Sequence, residues 1–362
     1  MNMLKVTRIF LTACLPFAAA THVAGQACPA CSNPALQSSE KLEAGLDTLY
    51  SGVLRATLNL TNGFDYKGGH PNFKGLSPEG EVSVVPLHNH LVELDFLRTE
   101  LSLEYTFKKN WSAWLRIPLD VKMQTASMEY PEPVTPLEQE AILRNRDIHH
   151  RNENYTGITD LRLLFAHRLN GFLFKSGRLD FALGSSLPTG KTEENPLTAA
   201  AEGAKHLHIQ FGTGTFDPLL ELHYSASLTG RLALAVFTIN KIPFYENGKG
   251  YKAPKETTSG LSLGYRLNDW LSPRLTIANF SQSHAKWDSV DDPNSGLISY
   301  NLTANLTFFL KNGLTISPSY RLPLTQKTLD EQGDTFEYGP TFLLNVSRPF
   351  SLIIDFHAEM IP

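Results

Sequence analysis

The most regular feature of this sequence is the alternation of apolar and polar residues along short segments. In the stretch 117–124, "IPLDVKMQ", apolar side chains occupy the odd positions, while Asp120, Lys122 and Gln124 lie between them. The same period of two returns in four other stretches: 100–107, 301–310, 314–322 and 336–345. Successive side chains of a strand point to opposite faces, so this period indicates strands with one apolar and one polar face.

The connections between these segments distinguish between two all-β folds. A soluble β-sandwich also alternates, but here long and short links follow one another in strict turn, with tight links at "KKN", "LTGR", "LND", "LKNG" and "SRP". Outer-membrane barrels have this asymmetry because their periplasmic turns are short and their external loops are long. We therefore predict an all-β fold, a transmembrane antiparallel outer-membrane β-barrel of about 12–14 strands.

The number of predicted strands is odd, which does not fit a closed barrel of this kind. Thirteen segments have the strand pattern: 52–62, 91–107, 111–125, 156–169, 177–188, 206–226, 230–242, 257–268, 270–283, 297–310, 313–324, 335–347 and 350–360. Bacterial single-chain barrels normally close with an even number of strands, so one segment is missed or extra. The stretch 63–90 and the last segment are where we expect the difference.

The first residues of the chain predict export. Lys5 and Arg8 precede an apolar run and then small residues, which is the pattern of a cleaved signal peptide over 1–25. A short periplasmic segment over 26–50 and an outer-membrane barrel over 51–362 would follow. The chain has 32 basic and 36 acidic residues; without Lys5 and Arg8 the basic count is 30, a formal charge of −6. This balance does not suggest a nucleic-acid partner.

The longest predicted loop, 126–155, contains a helix signal. Thr135 and Glu138 have the spacing of a capping box, and Pro136 suits the first helical position. A loop of this length with its own helix either folds into the pore or remains an external loop.

Three consecutive segments resemble a known family. They are "TGITDLRLLFAHRL" (156–169), "LDFALGSSLPTGK" (179–191) and "GTGTFDPLLELHYS" (212–225). In this order they are similar to the outer-membrane barrels named after the meta-pathway of phenol degradation, the MetA-pathway phenol degradation-like transporters. The resemblance implies an outer-membrane channel or transporter for aromatic or other hydrophobic small molecules. It supplies no binding residues, and the "CPAC" at 28–31 departs from it.

The polar face of the predicted strands carries many charged residues. If the apolar faces meet lipid, these residues line the lumen, because a single charge facing hydrocarbon is costly. The predicted lumen-lining residues are Glu100, Glu104, Asp120, Lys122, Arg162, Arg168, Asp180, Arg266, Arg321 and Glu337. They either form ion pairs that brace the wall or contribute to a selectivity filter, and the presence of both signs disfavours strong ion selectivity.

Two cysteines and three histidine pairs form a second set of candidates. Thiolate and imidazole are ligands for copper or zinc, and on a strand two histidines at i and i+2 share a face. The candidate metal ligands are Cys28, Cys31, His88, His90, His149, His150, His206 and His208. For the two cysteines, the other interpretation is a simple disulfide in the oxidising periplasm. In both interpretations, the CPAC segment is a place where a periplasmic partner could dock.

These patterns give one leading function and two others. The leading hypothesis is passive diffusion of small molecules through a water-lined lumen, with the outer-membrane bilayer and the solute as partners. The alternative is a metal-handling or redox-docking outer-membrane protein that uses the CPAC and the loop histidines. A third is a structural barrel whose loops bind an external partner. The Gly-x-Ser-x-Gly and His-Glu-x-x-His signatures of common hydrolases are absent, so we do not expect an enzyme.

Overall fold

The computed structural model describes residues 51–206, 210–330 and 335–351, and these are mainly strands. In chain order the elements are β1 (Val53–Leu76), β2 (Val82–Lys108), β3 (Trp111–Glu129), α1 (Pro136–His149), β4 (Glu153–Ile158), β5 (Leu161–Asn170), β6 (Arg178–Leu187), α2 (Pro196–Ala201), β7 (Asp217–Ser227), β8 (Leu232–Lys241), β9 (Tyr251–Lys252), β10 (Glu256–Tyr265), β11 (Leu271–Gln282), β12 (Lys286–Trp287), β13 (Val290–Asp291), β14 (Leu297–Phe309), a 3-10 turn (Lys311–Gly313), β15 (Thr315–Thr328), β16 (Thr335–Glu337) and β17 (Thr341–Ser351). The predicted signal peptide and the segment 26–50 lie outside the described residues.

Twelve long strands close into an antiparallel barrel, as predicted. Closure occurs at β1, which pairs with β2 on one side and with β17 on the other, from Val53↔Ser351 to Gly63↔Thr341. The short strand β4 pairs with β3 beyond the part that pairs with β5. In the same way, the short strand β16 pairs with β1 beyond the part that pairs with β17, so both short strands extend the wall. A closed wall pairs the backbone groups of every long strand, which a structure in lipid requires.

The strands differ from the thirteen predicted segments at three places. "SRP" lies within β17 and makes no turn, so 335–347 and the start of 350–360 belong to one stretch of wall; residues 352–362 are not described. β1 and β2 form a tall hairpin that reaches Leu76 and Val82, which fills most of the supposed loop 63–90 without an extra strand. The segment 206–226 becomes a strand only at Asp217.

The outward face of the wall is apolar. Leu97, Leu101, Leu119, Met123 and Phe165 each expose more than a third of their surface, while the polar residues between them on β2 and β3 are mostly buried in the interior. Aromatic residues gather near the end with the short turns, where Trp111 and Trp270 are 42% and 53% exposed. An apolar band with a rim of aromatic residues is the surface that outer-membrane barrels present to lipid. Within the described ranges, no helix is long and apolar enough to span a membrane.

The end with the short turns is taken as periplasmic, and the long loops lie at the external end. There α1 begins at the predicted capping box: the Glu138 amide donates to the Thr135 hydroxyl at 3.3 Å, and the Thr135 amide donates to the Glu138 carboxylate at 2.7 Å. The hydrogen bonds from Thr135 hold the pKa of the Glu138 carboxyl below its usual value. The fully buried Ile142 packs α1 against Val85 at the top of β2.

Candidate functional site: the barrel lumen

A layer of charged side chains crosses the barrel interior. Arg98 of β2 forms a bidentate ion pair with Asp120 of β3, with its Nε and Nη2 atoms 2.6 and 2.8 Å from the two carboxylate oxygens. Lys122 Nζ lies 3.9 Å from the same carboxylate. All three side chains are nearly inaccessible to solvent. Paired, hydrogen-bonded geometry of this kind offsets the cost of burying charges.

A second ion pair joins strands that are not neighbours. The two Nη atoms of Arg116 on β3 each lie 2.7 Å from a carboxylate oxygen of Glu221 on β7, and β5 and β6 lie between these strands in the wall. Glu221 also bonds His223 Nε2 at 3.0 Å. This pair therefore spans part of the lumen, and together with Arg98–Asp120 it defines what we call the charged layer.

An apolar layer lies directly external to the charged layer. On β2, Leu94 and Phe96 precede Arg98 along the same face, because side chains two residues apart point to the same side of a strand. They belong to one cluster of buried residues: Tyr66, Leu94, Phe96, Tyr155, Phe280, Leu297 and Tyr338. Tyr155 and Phe280 come from nearly opposite sides of the barrel, so this cluster crosses the lumen.

A glycine makes room for the apolar layer. A Cβ atom on Gly63 of β1 would clash with the ring of Phe96. The pairing of β1 with β2 shifts register immediately after Gly63, and the one extra residue on β1 brings Tyr66 onto the inner face. The rings of Tyr66 and Phe96 then meet edge to face, with centroids 5.2 Å apart.

The segment 210–215, here named the lumen loop, descends from the external end into the barrel. Phe211 packs against the apolar layer, and the carbonyl of Gln210 accepts a hydrogen bond from Lys122 Nζ at 3.1 Å. Asp160, between β4 and β5, fixes this loop: its carboxylate accepts from the amides of Gly190 and Thr213 at 3.0 and 2.8 Å. One carboxylate thus holds two separate loop segments.

The Asp160 contacts involve all three segments that carry the family resemblance. Asp160 ends "TGITD", Gly190 ends "LPTG", and Gly212 opens "GTG". A Cβ on Gly212 would clash with Asp160 and Gly190, and one on Gly157 would press on the ring of Phe211. At Gly212, where the clash is with backbone, only glycine permits this close approach. The three motifs therefore build the support of the lumen loop.

A small cavity lies beside the charged layer. It has a volume of about 80 Å³ and is lined by Arg98, Arg116 and Glu221 of that layer and by Phe211 of the lumen loop. Arg162 of β5 also faces it, and within the described residues its guanidinium forms no hydrogen bond or ion pair. The cavity is large enough for several water molecules. The Arg162 guanidinium therefore faces this cavity together with the apolar ring of Phe211.

The structure distributes the predicted lumen-lining residues over several environments. Glu100, Asp120, Lys122 and Arg321 are buried in the interior, and Glu104, Arg162, Arg168 and Asp180 are partly buried on wall strands. Arg168 and Asp180 form a bidentate pair between β5 and β6, at 2.6 and 2.7 Å. Arg266 lies in the turn after β10 rather than on the wall, and Glu337 is exposed on β16.

The predicted metal ligands separate into three groups. His90 and His150 come together at the external end, with His88 beside them and His70 of β1 added. His206 is separate: its Nδ1 lies 2.7 Å from the Ala204 carbonyl oxygen. Cys28, Cys31 and His208 lie outside the described residues, and so does the side chain of His149.

Several residues of the lumen were not among the candidates from sequence. Asp160 was present in the family-like motif, but nothing in the sequence assigned it a partner. Arg98 and Arg116 could have been found by extending the alternation along β2 and β3, because both lie on the polar face. Phe211 and His70 had no local signal.

Comparison with known proteins supports the fold. No protein-family model and no curated protein matches the chain. A solved structure titled COG4313 outer membrane channel, from Pseudomonas putida F1, is similar with a TM-score of 0.54 and 11% identity, over 84% of this chain and 98% of that one. A Pseudomonas aeruginosa FadL homologue (TM-score 0.40, 11% identity, 92% and 100% covered) and the P. putida toluene transporter TodX (0.40, 9%, 85% and 92%) are less similar. The chain has the fold of an outer-membrane β-barrel.

Proposed function

We propose that this protein is an outer-membrane channel that passes small aromatic or otherwise hydrophobic molecules. The observation that carries the proposal is a closed twelve-stranded barrel whose lumen contains an apolar layer directly above a charged layer. The fold that it shares with the COG4313 outer membrane channel supports a role in permeation. The proposal includes residence in the outer membrane after removal of the signal peptide, and no catalytic role.

The two layers suit a solute with an apolar body and a polar end. Rings such as Tyr66, Phe96 and Phe280 offer an apolar surface that contacts an aromatic solute favourably. Arg162, in the cavity below, then meets a hydroxyl or carboxylate of the same solute. A fully hydrated ion gains nothing from the apolar layer.

Passage through this lumen requires movement. Phe96 and Phe280 are at most 2% exposed, and so is Asp120 of the charged layer, so these side chains are closed to bulk solvent in the conformation described. A permanently water-filled pore is therefore less well supported than a channel that opens when the lumen loop moves. Phe211 is the obvious moving part, because it comes from a loop whereas the other aromatic rings mostly come from wall strands.

The proposal is tested by conductance of the refolded mature protein in planar bilayers. We expect small or infrequent openings for the parent protein, and larger steps for Phe211→Ala, since that variant removes a ring from the apolar layer. Phe216→Ala is the matched control, because Phe216 is in the same connection but 55% exposed. Uptake of an aromatic carboxylate into liposomes should follow the same order.

Two outcomes would contradict the proposal. One is the absence of conductance and solute uptake in both the parent and Phe211→Ala, with circular dichroism showing a folded barrel. The other is equal conductance in Phe211→Ala and Phe216→Ala.

A Cys28→Ser/Cys31→Ser variant should conduct like the parent, whereas a barrel that serves chiefly as a metal or redox anchor would lose its function with these cysteines.

A further inference from the structure

Three buried histidines meet at the external end of the lumen, above the apolar layer. His70 belongs to β1 and His90 to β2, and His150 is the residue that follows α1. One ring nitrogen of each lies within 4.8 Å of those of the other two, and all three residues are at most 5% exposed. Three segments that are far apart in sequence thus bring imidazole nitrogens to a common point.

The donor set fits a transition-metal ion. Imidazole is a preferred ligand of zinc and copper, and zinc–nitrogen bonds of 2.0–2.1 Å with tetrahedral angles place ligand nitrogens about 3.4 Å apart. The nitrogens here, within 4.8 Å of one another, therefore need to approach each other by at most about 1.4 Å. His70 and His90 are paired residues of adjacent strands, so the wall fixes their separation, while His150 is on a loop and can adjust.

A fourth histidine lies beside this group. The ring of His88 lies 5.1 Å from that of His90, and its Nδ1 is 2.9 Å from the Pro86 carbonyl oxygen. That contact makes Nδ1 the protonated donor, so Nε2 carries the lone pair. Nε2 is fully buried and has no hydrogen-bond partner among the described residues. A backbone carbonyl that orients the second ring nitrogen is a common feature of metal-binding histidines.

We propose that His70, His90 and His150 form a binding site for a transition-metal ion such as Zn²⁺, with His88 as an available fourth ligand. Because His150 directly follows α1 and the other two belong to the wall, a bound ion ties the end of α1 to the inner face of the β1–β2 hairpin. The proposal does not depend on solute permeation.

The test measures Zn²⁺ binding to the folded full-length mature protein in detergent by equilibrium dialysis. The Cys28→Ser/Cys31→Ser background removes the thiolates, so that binding reports on the histidines. We expect one Zn²⁺ per chain, and a loss of affinity of about tenfold or more in His90→Gln and in His150→Gln. His167→Gln is the matched control, because His167 lies against Trp111 at the other end of the barrel, with ring centroids 4.3 Å apart.

The proposal is overturned if the background protein binds no Zn²⁺, or if His150→Gln binds it as tightly as His167→Gln does. His150 lies outside the wall, so its variant decides the question even where His90→Gln does not fold. Conductance is recorded on the same samples. Loss of Zn²⁺ binding with unchanged conductance would leave the proposed channel function intact.

Discussion

The charged layer and the apolar layer occupy adjacent levels of one lumen, yet they are held in different ways. In the charged layer, wall residues pair with wall residues, as Arg98 with Asp120 and Arg116 with Glu221. In the apolar layer, rings that come mostly from the wall pack together, and Phe211, which a loop supplies, packs against them. The first arrangement is fixed by directional, charge-assisted bonds. The second depends on non-directional packing, and one of its rings, Phe211, is carried by a loop that can move away.

This difference separates bracing from gating. Loss of one partner in the charged layer leaves a buried charge without compensation and weakens the whole barrel. Loss of the support of the lumen loop leaves the ion pairs of the charged layer in place and acts mainly on the level that the loop fills. The two layers should therefore respond differently to substitution: the charged layer in the stability of the barrel, and the apolar layer in the opening of the lumen.

The largest expected effect is that of Asp120→Ala. This substitution removes the carboxylate that pairs with Arg98 and lies near Lys122, so two cations remain in a buried position. We expect the free energy of unfolding to fall by about 3–5 kcal/mol, measured by urea unfolding in detergent. Lys67→Ala is the control: the Asp65–Lys67 pair is more than half exposed, and its loss should cost less than about 1 kcal/mol. Equal effects would refute a bracing role.

A smaller effect on stability, with a larger effect on conductance, is expected from Asp160→Ala. The variant loses the hydrogen bonds from the Gly190 and Thr213 amides, which we expect to cost about 2 kcal/mol. The lumen loop is then released, and openings in planar bilayers should become more frequent. Asp120→Ala, studied at a temperature where it remains folded, should not show this change. If both variants open the lumen equally, the distinction between the layers fails.

The smallest expected effect is a pH dependence from His206. Burial, partly opposed by its hydrogen bond to the Ala204 carbonyl, lowers the pKa of this loop histidine below its usual value of about 6.5. The folded state therefore binds the proton less readily than the unfolded state. Neutral His206 therefore stabilises the external connection in which it lies. This stabilisation is complete above about pH 6.5 and declines as the pH falls towards the lowered pKa.

We expect channel openings to increase modestly when the pH is lowered from about 7.5 to about 5.5. The measurement is conductance of the metal-free parent against His206→Gln, which should lose this dependence. His284→Gln, in another external connection, serves as the control. A parent whose openings do not change over this range would exclude His206 as a pH-sensitive part of the external connections.

Local patterns in the sequence determined a large part of this structure. Alternation predicted the wall and its two faces, because a strand points successive side chains in opposite directions whatever its neighbours are. The spacing of Thr135, Pro136 and Glu138 predicted the start of α1, because a capping box is completed within four residues. Both are properties of short stretches of chain.

The chemistry of the lumen was decided by tertiary structure. Alternation placed Asp120 inside but could not show that it pairs with Arg98, and it placed the histidine pairs without bringing His70 to His90 and His150. These contacts depend on strand register, on which strands are neighbours and on where the loops fold. Register and closure follow from cooperative pairing around the whole barrel. A period of two in the sequence gives the face of each residue, and the closed wall alone gives its partner.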